Sequence, residues 1–444
     1  MKNAYLLVLL CALNITVFAQ IPQEAYDLTN NMNELWRFSP TEKAIDSTVK
    51  LNKIYRPFLI ERLHNELSQM LQHQRAENYP QQYLNALWDL QVPSIRNIIE
   101  PMYVWNQSYS VRSMSDAEKN LQAYFELLKD SANMTAKTEL YGLLIMKNLE
   151  KMKLVPVDLQ KKVLDKIIRN LQKYPYIDKR DELYRQLVPR AWHRYLLAYS
   201  YYLKYRTEGE NPAYLKAASN YSPDVTDMQR RDAYNYDAYL LEGSNKYVGF
   251  QSRYISYLEK NKLYTEELSV LLETAYGVPV NENIEKLKEF LALHADQGEY
   301  KTLWSNYVKS RMQPTPALQV TYSDEVLDFT KYRSTWTLID VWGTWCSPCC
   351  KELPHLNEVA EKYNNLPTSK IRIRTFSYSS TNLKEFMQKN NYTFPVAEVT
   401  HAVTTPFGVN SYPTKLLVSP DNKYLIIPFN VNWEEYMRNY CIVE

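Results

Sequence analysis

Apolar residues recur at helical spacing from Ile21 to about Arg311, and past Pro314-Thr315-Pro316 the spacing becomes that of strands. Leu159, Val163, Ile167 and Leu171 share one face behind Pro156 and Asp158, with Lys161, Lys162 and Lys166 outside that stripe. Ile284, Leu287 and Leu291 repeat the arrangement behind Asn281. Stripes of this kind predict amphipathic helices with one face in a core. Ser39-Pro40, Val92-Pro93, Val155-Pro156, Asn211-Pro212, Ser222-Pro223 and Gly277-Val278-Pro279 cut the region into segments of ordinary helical length, on the order of ten or more. No fixed-period repeat accompanies them, so an irregular helical domain and an α-solenoid both remain open.

After the Pro-Thr-Pro joint, Ala317 to Tyr322 alternates as a strand, and Val326 to Phe329 leads through a charged turn to the apolar run Trp336, Leu338, Ile339 and Val341. Lys351–Tyr363 reads as a helix, 371–376 as a strand, 382–390 as a helix and 394–399 as a strand. A hairpin of 415–418 and 424–427 follows, and a helix over 433–440 closes the series. Strands alternating with helices predict a layered sheet containing parallel pairs. The predicted division is a leader at 1–19, a helical domain at 20–312 and an α/β domain at 313–444, the last folding on its own.

Composition supports this division. The 444 residues exceed one ordinary core. Abundant tyrosine (38) and scarce glycine (8) suit helices packed through aromatic bodies better than a turn-rich β protein. Lys plus Arg (52) nearly balances Asp plus Glu (50), and no dense basic block is present, which argues against nucleic acid as a partner. Met1-Lys2-Asn3, the apolar run Ala4–Val17 and Val17-Phe18-Ala19 read as a secretory leader cleaved after Ala19, not as an integral membrane span. Cys11 follows Leu10 instead of a small residue, which disfavours a lipid anchor there.

The remaining cysteines are 346, 349, 350 and 441, with none between Cys11 and Cys346. That distribution points to catalysis and not to a disulfide framework. Trp345-Cys346-Ser347-Pro348-Cys349 directly follows the apolar strand and Gly343, so Cys346 falls where a helix begins. Unpaired backbone N–H groups and the positive end of the helix dipole would stabilise its thiolate, and Cys349 would stand one turn further in, placed to attack a mixed disulfide on Cys346. Pro348 fits the first turn, which has no amide bond to lose. A Cys-x-x-Cys pair is also half of a structural zinc site, but no second such pair and no His-x-x-His is present. No metal and no cofactor are expected.

Asp340 to Cys349, extended by Glu352-Leu353-Pro354, resembles the active-site strand and turn of the thioredoxin superfamily, and within it the extracytoplasmic TlpA-like and ResA-like thiol:disulfide oxidoreductases. The resemblance covers about the last 130 residues and implies a thioredoxin-like three-layer α/β/α domain behind a large all-helical N-terminal one. It implies a Cys346–Cys349 redox disulfide, Asp340 as a buried acid that shuttles the proton of Cys349, and Glu352 as a second acid. It also implies a cis Pro413 against the dithiol, with Trp345, Tyr412 and Thr414 on the substrate side. Clients would be proteins with disulfides or thiols, and electrons would pass to or from a membrane or periplasmic redox donor. Cys350 departs from the Lys or Arg usual in the family. Its spacing from Cys346 also makes the Cys-x-x-x-Cys of copper-binding Sco-like relatives, which need a well-placed histidine.

The helical region carries weaker signals. Histidines 64, 73, 193, 294, 355 and 401 are scattered and read as solvated or locally hydrogen-bonded. Tyrosines in 198–205 and 230–239 cover several helix faces, which suits packing better than peptide or glycan binding. The resulting expectation is a periplasmic thiol:disulfide oxidoreductase whose helical domain recognises partners. A client-binding scaffold with a redox clasp and a copper chaperone are the alternatives.

Overall fold

The computed structural model describes residues 23–442 apart from short stretches, chiefly 29–41, 65–78, 130–136, 178–183, 224–233, 244–248 and 295–298. The expected leader and His73 lie outside the described residues. The chain forms two compact units, one of 1–179, 192–214 and 232–247, the other of 180–191, 215–231 and 248–444.

Among the described residues the first unit is helical. Its helix Val157–Gln172 buries Val163, Ile167 and Leu171 of the stripe read from the sequence, together with Leu164 and Ile168, and leaves Leu159 half-buried. His64 is fully buried in this unit, which an isolated histidine does not signal in a sequence. Its ring nitrogens lie 2.7 Å from the Tyr141 hydroxyl and 3.0 Å from the Asp237 carboxylate, so its polarity is satisfied locally.

The second unit opens with helices α1 (Phe250–Lys260), α2 (Tyr264–Gly277), α3 (Asn281–Leu293) and α4 (Tyr300–Arg311). Strands β1 (Gln313–Pro314), β2 (Gln319–Thr321), β3 (Val326–Asp328) and β4 (Trp336–Trp342) follow, then α5 (Ser347–Asn364), β5 (Ile371–Tyr378), α6 (Leu383–Lys389) and β6 (Val396–Val399). The unit ends with β7 (Thr414–Val418), β8 (Lys423–Ile427) and α7 (Trp433–Cys441). Six strands form one sheet in the order β1-β8-β7-β4-β5-β6, with β4, β5 and β6 parallel to one another and β7 antiparallel to both β4 and β8. Strands β2 and β3 make a separate antiparallel pair.

Every residue of β4 is buried, as befits a central strand covered on both faces. Side chains alternate across a strand, so its residues divide between two cores. Ile339 and Val341 join Phe376, Phe407 and Leu416 on one face. Leu338 and Trp342 join Leu353, Leu356 and Leu417 on the face carrying α5 and α7. Asp340 shares the register of Leu338 and Trp342 and therefore belongs to the second face.

The core of that face also contains Leu268, Leu272, Leu287, Leu291, Trp304 and Val308, so α2, α3 and α4 pack with the sheet domain. The compact unit thus starts upstream of the joint read at 313. Polar contacts seal the seam. Trp304 donates its indole N–H to the Asn439 carbonyl (2.9 Å), the Asn439 amide donates to the Pro279 carbonyl (2.7 Å), and the Tyr440 hydroxyl donates to the Tyr276 carbonyl (2.7 Å). The joint itself is part of the sheet, because Gln313 and Pro314 pair with Tyr424 and Lys423. Pro314 is tolerated there since β1 is an edge strand.

Candidate active site

Strand β4 ends at Trp342, and Gly343 turns the chain toward α5. A Cβ on Gly343 would come within 2.5 Å of the Trp345 indole nitrogen and 2.9 Å of the Tyr378 carbonyl, so only glycine lets Trp345 fold back over the turn. There the Trp345 indole donates to the Tyr378 carbonyl at 3.0 Å while 54% of the residue stays exposed. Cys346 is the N-cap of α5 and accepts a hydrogen bond on Sγ from the Cys349 amide at 3.3 Å. Cys346 and Cys349 form a disulfide, with Cα atoms 5.3 Å apart. Both are nearly buried, at 5% and 1% exposure, with Cys346 the more accessible.

Beneath them, antiparallel register sets Lys415 of β7 opposite Asp340 of β4. The Lys415 ammonium lies 3.1 Å from Asp340 Oδ1 and donates to Glu352 Oε2 at 2.7 Å. Asp340 is 2% exposed, whereas 38% of the Glu352 side chain reaches solvent. Burial pushes the Asp340 carboxyl above its ordinary pKa and the nearby Glu352 charge adds to this, with Lys415 pulling the other way. For Lys415, burial alone would lower the pKa, but attraction to Asp340 and Glu352 prevails and raises it. Lys415 was not among the sequence candidates; only the strand register reveals it.

The peptide between Tyr412 and Pro413 is cis. Thr414 begins β7, and its hydroxyl donates to the Ser411 carbonyl at 2.7 Å, closing the loop behind that bond. The Tyr412 ring stands edge-on to Trp345 (centroids 5.2 Å apart) and stacks on Tyr378 (5.3 Å). All the sequence candidates thus fall in one locality at the start of α5 and the adjoining ends of β4 and β7.

Residues 312–424 match the family model described as AhpC/TSA family. Over 102 residues the chain is 28% identical to thiol-disulfide oxidoreductase ResA of Bacillus thuringiensis subsp. konkukian, covering 22% of this chain and 57% of that one. It is 30% identical over 105 residues to ResA of Bacillus anthracis, covering 23% and 59%. The C-terminal domain is thus similar to ResA-type thiol-disulfide oxidoreductases.

The chain spans a little over half the length of these curated relatives. Among solved structures it is similar to a thioredoxin-family thiol:disulfide interchange protein of Chlorobium tepidum, with TM-score 0.26, 16% identity and coverage of 30% of this chain and 97% of that one. It is likewise similar to StoA of Bacillus subtilis, with TM-score 0.23, 20% identity and coverage of 28% and 98%.

Two further thiols belong to the ResA-like domain. Cys350 is half-buried and directs its Sγ at the Thr344 carbonyl, 3.6 Å away; burial pushes its pKa up. Cys441 is buried on α7, and burial pushes its thiol well above the ordinary value. Neither is disposed to be a thiolate at neutral pH. His401, one of the scattered histidines, has Nε2 hydrogen-bonded to the Tyr378 hydroxyl. Among the described residues no group of three His, Cys, Asp or Glu side chains is arranged to hold a metal ion, and no helix is long and apolar enough to cross a membrane.

Proposed function

We propose that this protein exchanges disulfides with client proteins through Cys346 and Cys349. The observation that carries the reading is the Cys346–Cys349 disulfide at the N-terminus of α5, where the Cys349 N–H points at Cys346 Sγ. The same N–H and the helix dipole favour a thiolate on Cys346 once the pair is reduced. That thiolate attacks one sulfur of a client disulfide; the client S–S bond breaks, its second sulfur leaves as a thiolate, and a mixed disulfide forms on Cys346. Cys349 then loses its proton and attacks Cys346 Sγ. The client departs with both sulfurs reduced, and the Cys346–Cys349 bond forms again. A dithiol donor restores the reduced pair with two electrons, and the reverse sequence oxidises a client.

Cys349 is buried, so its proton cannot leave directly to water. Asp340 is the acceptor in this reading, its proton affinity increased by burial, and Lys415 ties it to the half-exposed Glu352 at the solvent side. Pro413 presents the loop of Tyr412 and Thr414 to an extended client, and Trp345 covers the approach. The leader read at 1–19 supports a site of action outside the cytoplasm, in the periplasm, where disulfides persist. The N-terminal helical unit recognises the client and raises its local concentration at the dithiol, because it holds no cysteine beyond Cys11 with which to relay electrons.

The deciding experiment follows reduction of a small disulfide by the full-length protein with dithiothreitol as donor. Turnover that disappears in Cys346→Ser upholds the reading, and turnover unchanged in that variant overturns it.

A further inference from the structure

The aromatic rings beside the dithiol continue away from it. Trp345 meets Tyr412 (centroids 5.2 Å apart), Tyr412 stacks on Tyr378 (5.3 Å), and Tyr378 meets His401 (4.5 Å). At the far end of this row lies an open groove of about 480 Å³, lined by Tyr378, Ser380, Glu398, Thr400, His401 and their neighbours. The groove is fixed to the active-site turn. Its Tyr378 carbonyl receives the Trp345 indole N–H, and its Ser380 hydroxyl receives the Thr344 amide at 3.0 Å. A chain engaged at Cys346 therefore has the groove within a few residues' reach.

The groove's chemistry is one-sided. Glu398 supplies its carboxylate, no lysine or arginine lines it, the one histidine, His401, has Nε2 engaged by the Tyr378 hydroxyl, and serine and threonine hydroxyls supply neutral acceptors. Among the described residues no basic side chain pairs with Glu398, which is exposed on β6. The faces of tyrosine rings are electron-rich and attract cations, and a carboxylate at the end of such a row adds to the attraction. A buried apolar residue would leave these polar groups unpaired, and an acidic one would be repelled.

Resting on the oxidoreductase reading above, we infer that this groove receives a lysine or arginine side chain of the client close to its reactive cysteine. Glu398 and the ring row are thus specificity-determining residues, which select basic client segments without taking part in sulfur exchange.

The test uses the reduced full chain and short peptides whose single cysteine is capped as a 5-thio-2-nitrobenzoate disulfide, with arginine, alanine or glutamate beside it. Release of the coloured thiol gives a rate constant for each, and rates are compared as arginine-to-glutamate ratios so that any general loss cancels. A ratio of about three to ten is expected, the size of an exposed ion pair plus a cation–ring contact. Glu398→Gln should bring the ratio close to one and Glu398→Lys should invert it. A ratio of one in the wild type, or a ratio unchanged in both variants, overturns the inference. Should the capped peptides not react at all, the dithiol reading itself fails. Calorimetry of the oxidised chain with cysteine-free arginine and glutamate peptides then decides on the groove, tighter arginine binding upholding it and equal binding overturning it.

Discussion

Lys415 stands directly across the β4–β7 ladder from Asp340, its ammonium 3.1 Å from Oδ1, so the buried acid under the dithiol has its own counter-charge. Asp340 has a raised folded pKa and is therefore a group whose ionisation costs stability as pH climbs from its unfolded value through its folded one. Lys415 reduces that cost. Replacing it with methionine should raise the Asp340 pKa further and destabilise the protein more at higher pH, with a deficit of up to about 3 kcal/mol once Asp340 must ionise. Urea unfolding at about pH 5 and about pH 8 checks this. An equal deficit at both would show that the lysine matters only through packing.

The two cysteines should fail differently. With Cys346→Ser, exchange is lost and no mixed disulfide accumulates. With Cys349→Ser, client remains bound through Cys346, seen as a reducible higher-mass band. Equal trapping by both variants would remove the assignment of nucleophile and resolver.

Asp340→Asn should leave the first attack nearly intact and slow resolution by roughly ten- to a hundredfold, the usual scale of a lost proton acceptor. In the wild type the resolution rate should rise with pH through the raised Asp340 pKa, and the variant should lose that inflection. Stopped-flow measurement of the two phases separates the steps. Unchanged rates in both phases would place the proton path elsewhere.

Gly343→Ala tests the turn. The added methyl would sit 2.5 Å from the Trp345 indole nitrogen and 2.9 Å from the Tyr378 carbonyl, displacing the ring that both flanks the dithiol and meets Tyr412. A loss of about 1–3 kcal/mol is expected from forced overpacking, together with an altered near-ultraviolet circular dichroism spectrum.

Truncation distinguishes the two domain boundaries. Removing everything before Gln313 strips Trp304, Val308 and Met312 from the core and leaves the Asn439 carbonyl without its indole donor. Such a fragment should be poorly soluble or markedly less stable than one starting near Val248. Trp304→Ala in the full chain should cost about 3–5 kcal/mol. A fragment from 313 as stable as the longer one would restore the boundary read at the Pro-Thr-Pro joint.

The dithiol, the strand beneath it and the following helix were legible because their signals are local: an apolar run, a glycine, a helix start. Lys415 was not, because its role depends on which β7 residue faces Asp340, and strand register is set by tertiary pairing. Pro314 looked like punctuation because a proline suits a linker as well as an edge strand, and its pairing with Lys423 is more than a hundred residues away in sequence. The stripe of Ile284, Leu287 and Leu291 showed that its helix buries a face, but a stripe does not say against what. His401 read only as one of six scattered histidines, and its place beside Tyr378 depends on the neighbouring strand ends.

The seam between α4 and α7 has a consequence for synthesis. Trp304 emerges from the ribosome well over a hundred residues before Asn439 and Tyr440, the groups that cover it. Domains generally fold as units as they are made, yet this one cannot close its core until residues 433–441 are available. Throughout that interval the apolar residues that α2, α3 and α4 turn toward α7 lack their final cover, so the unit's core is completed only by the last helix made.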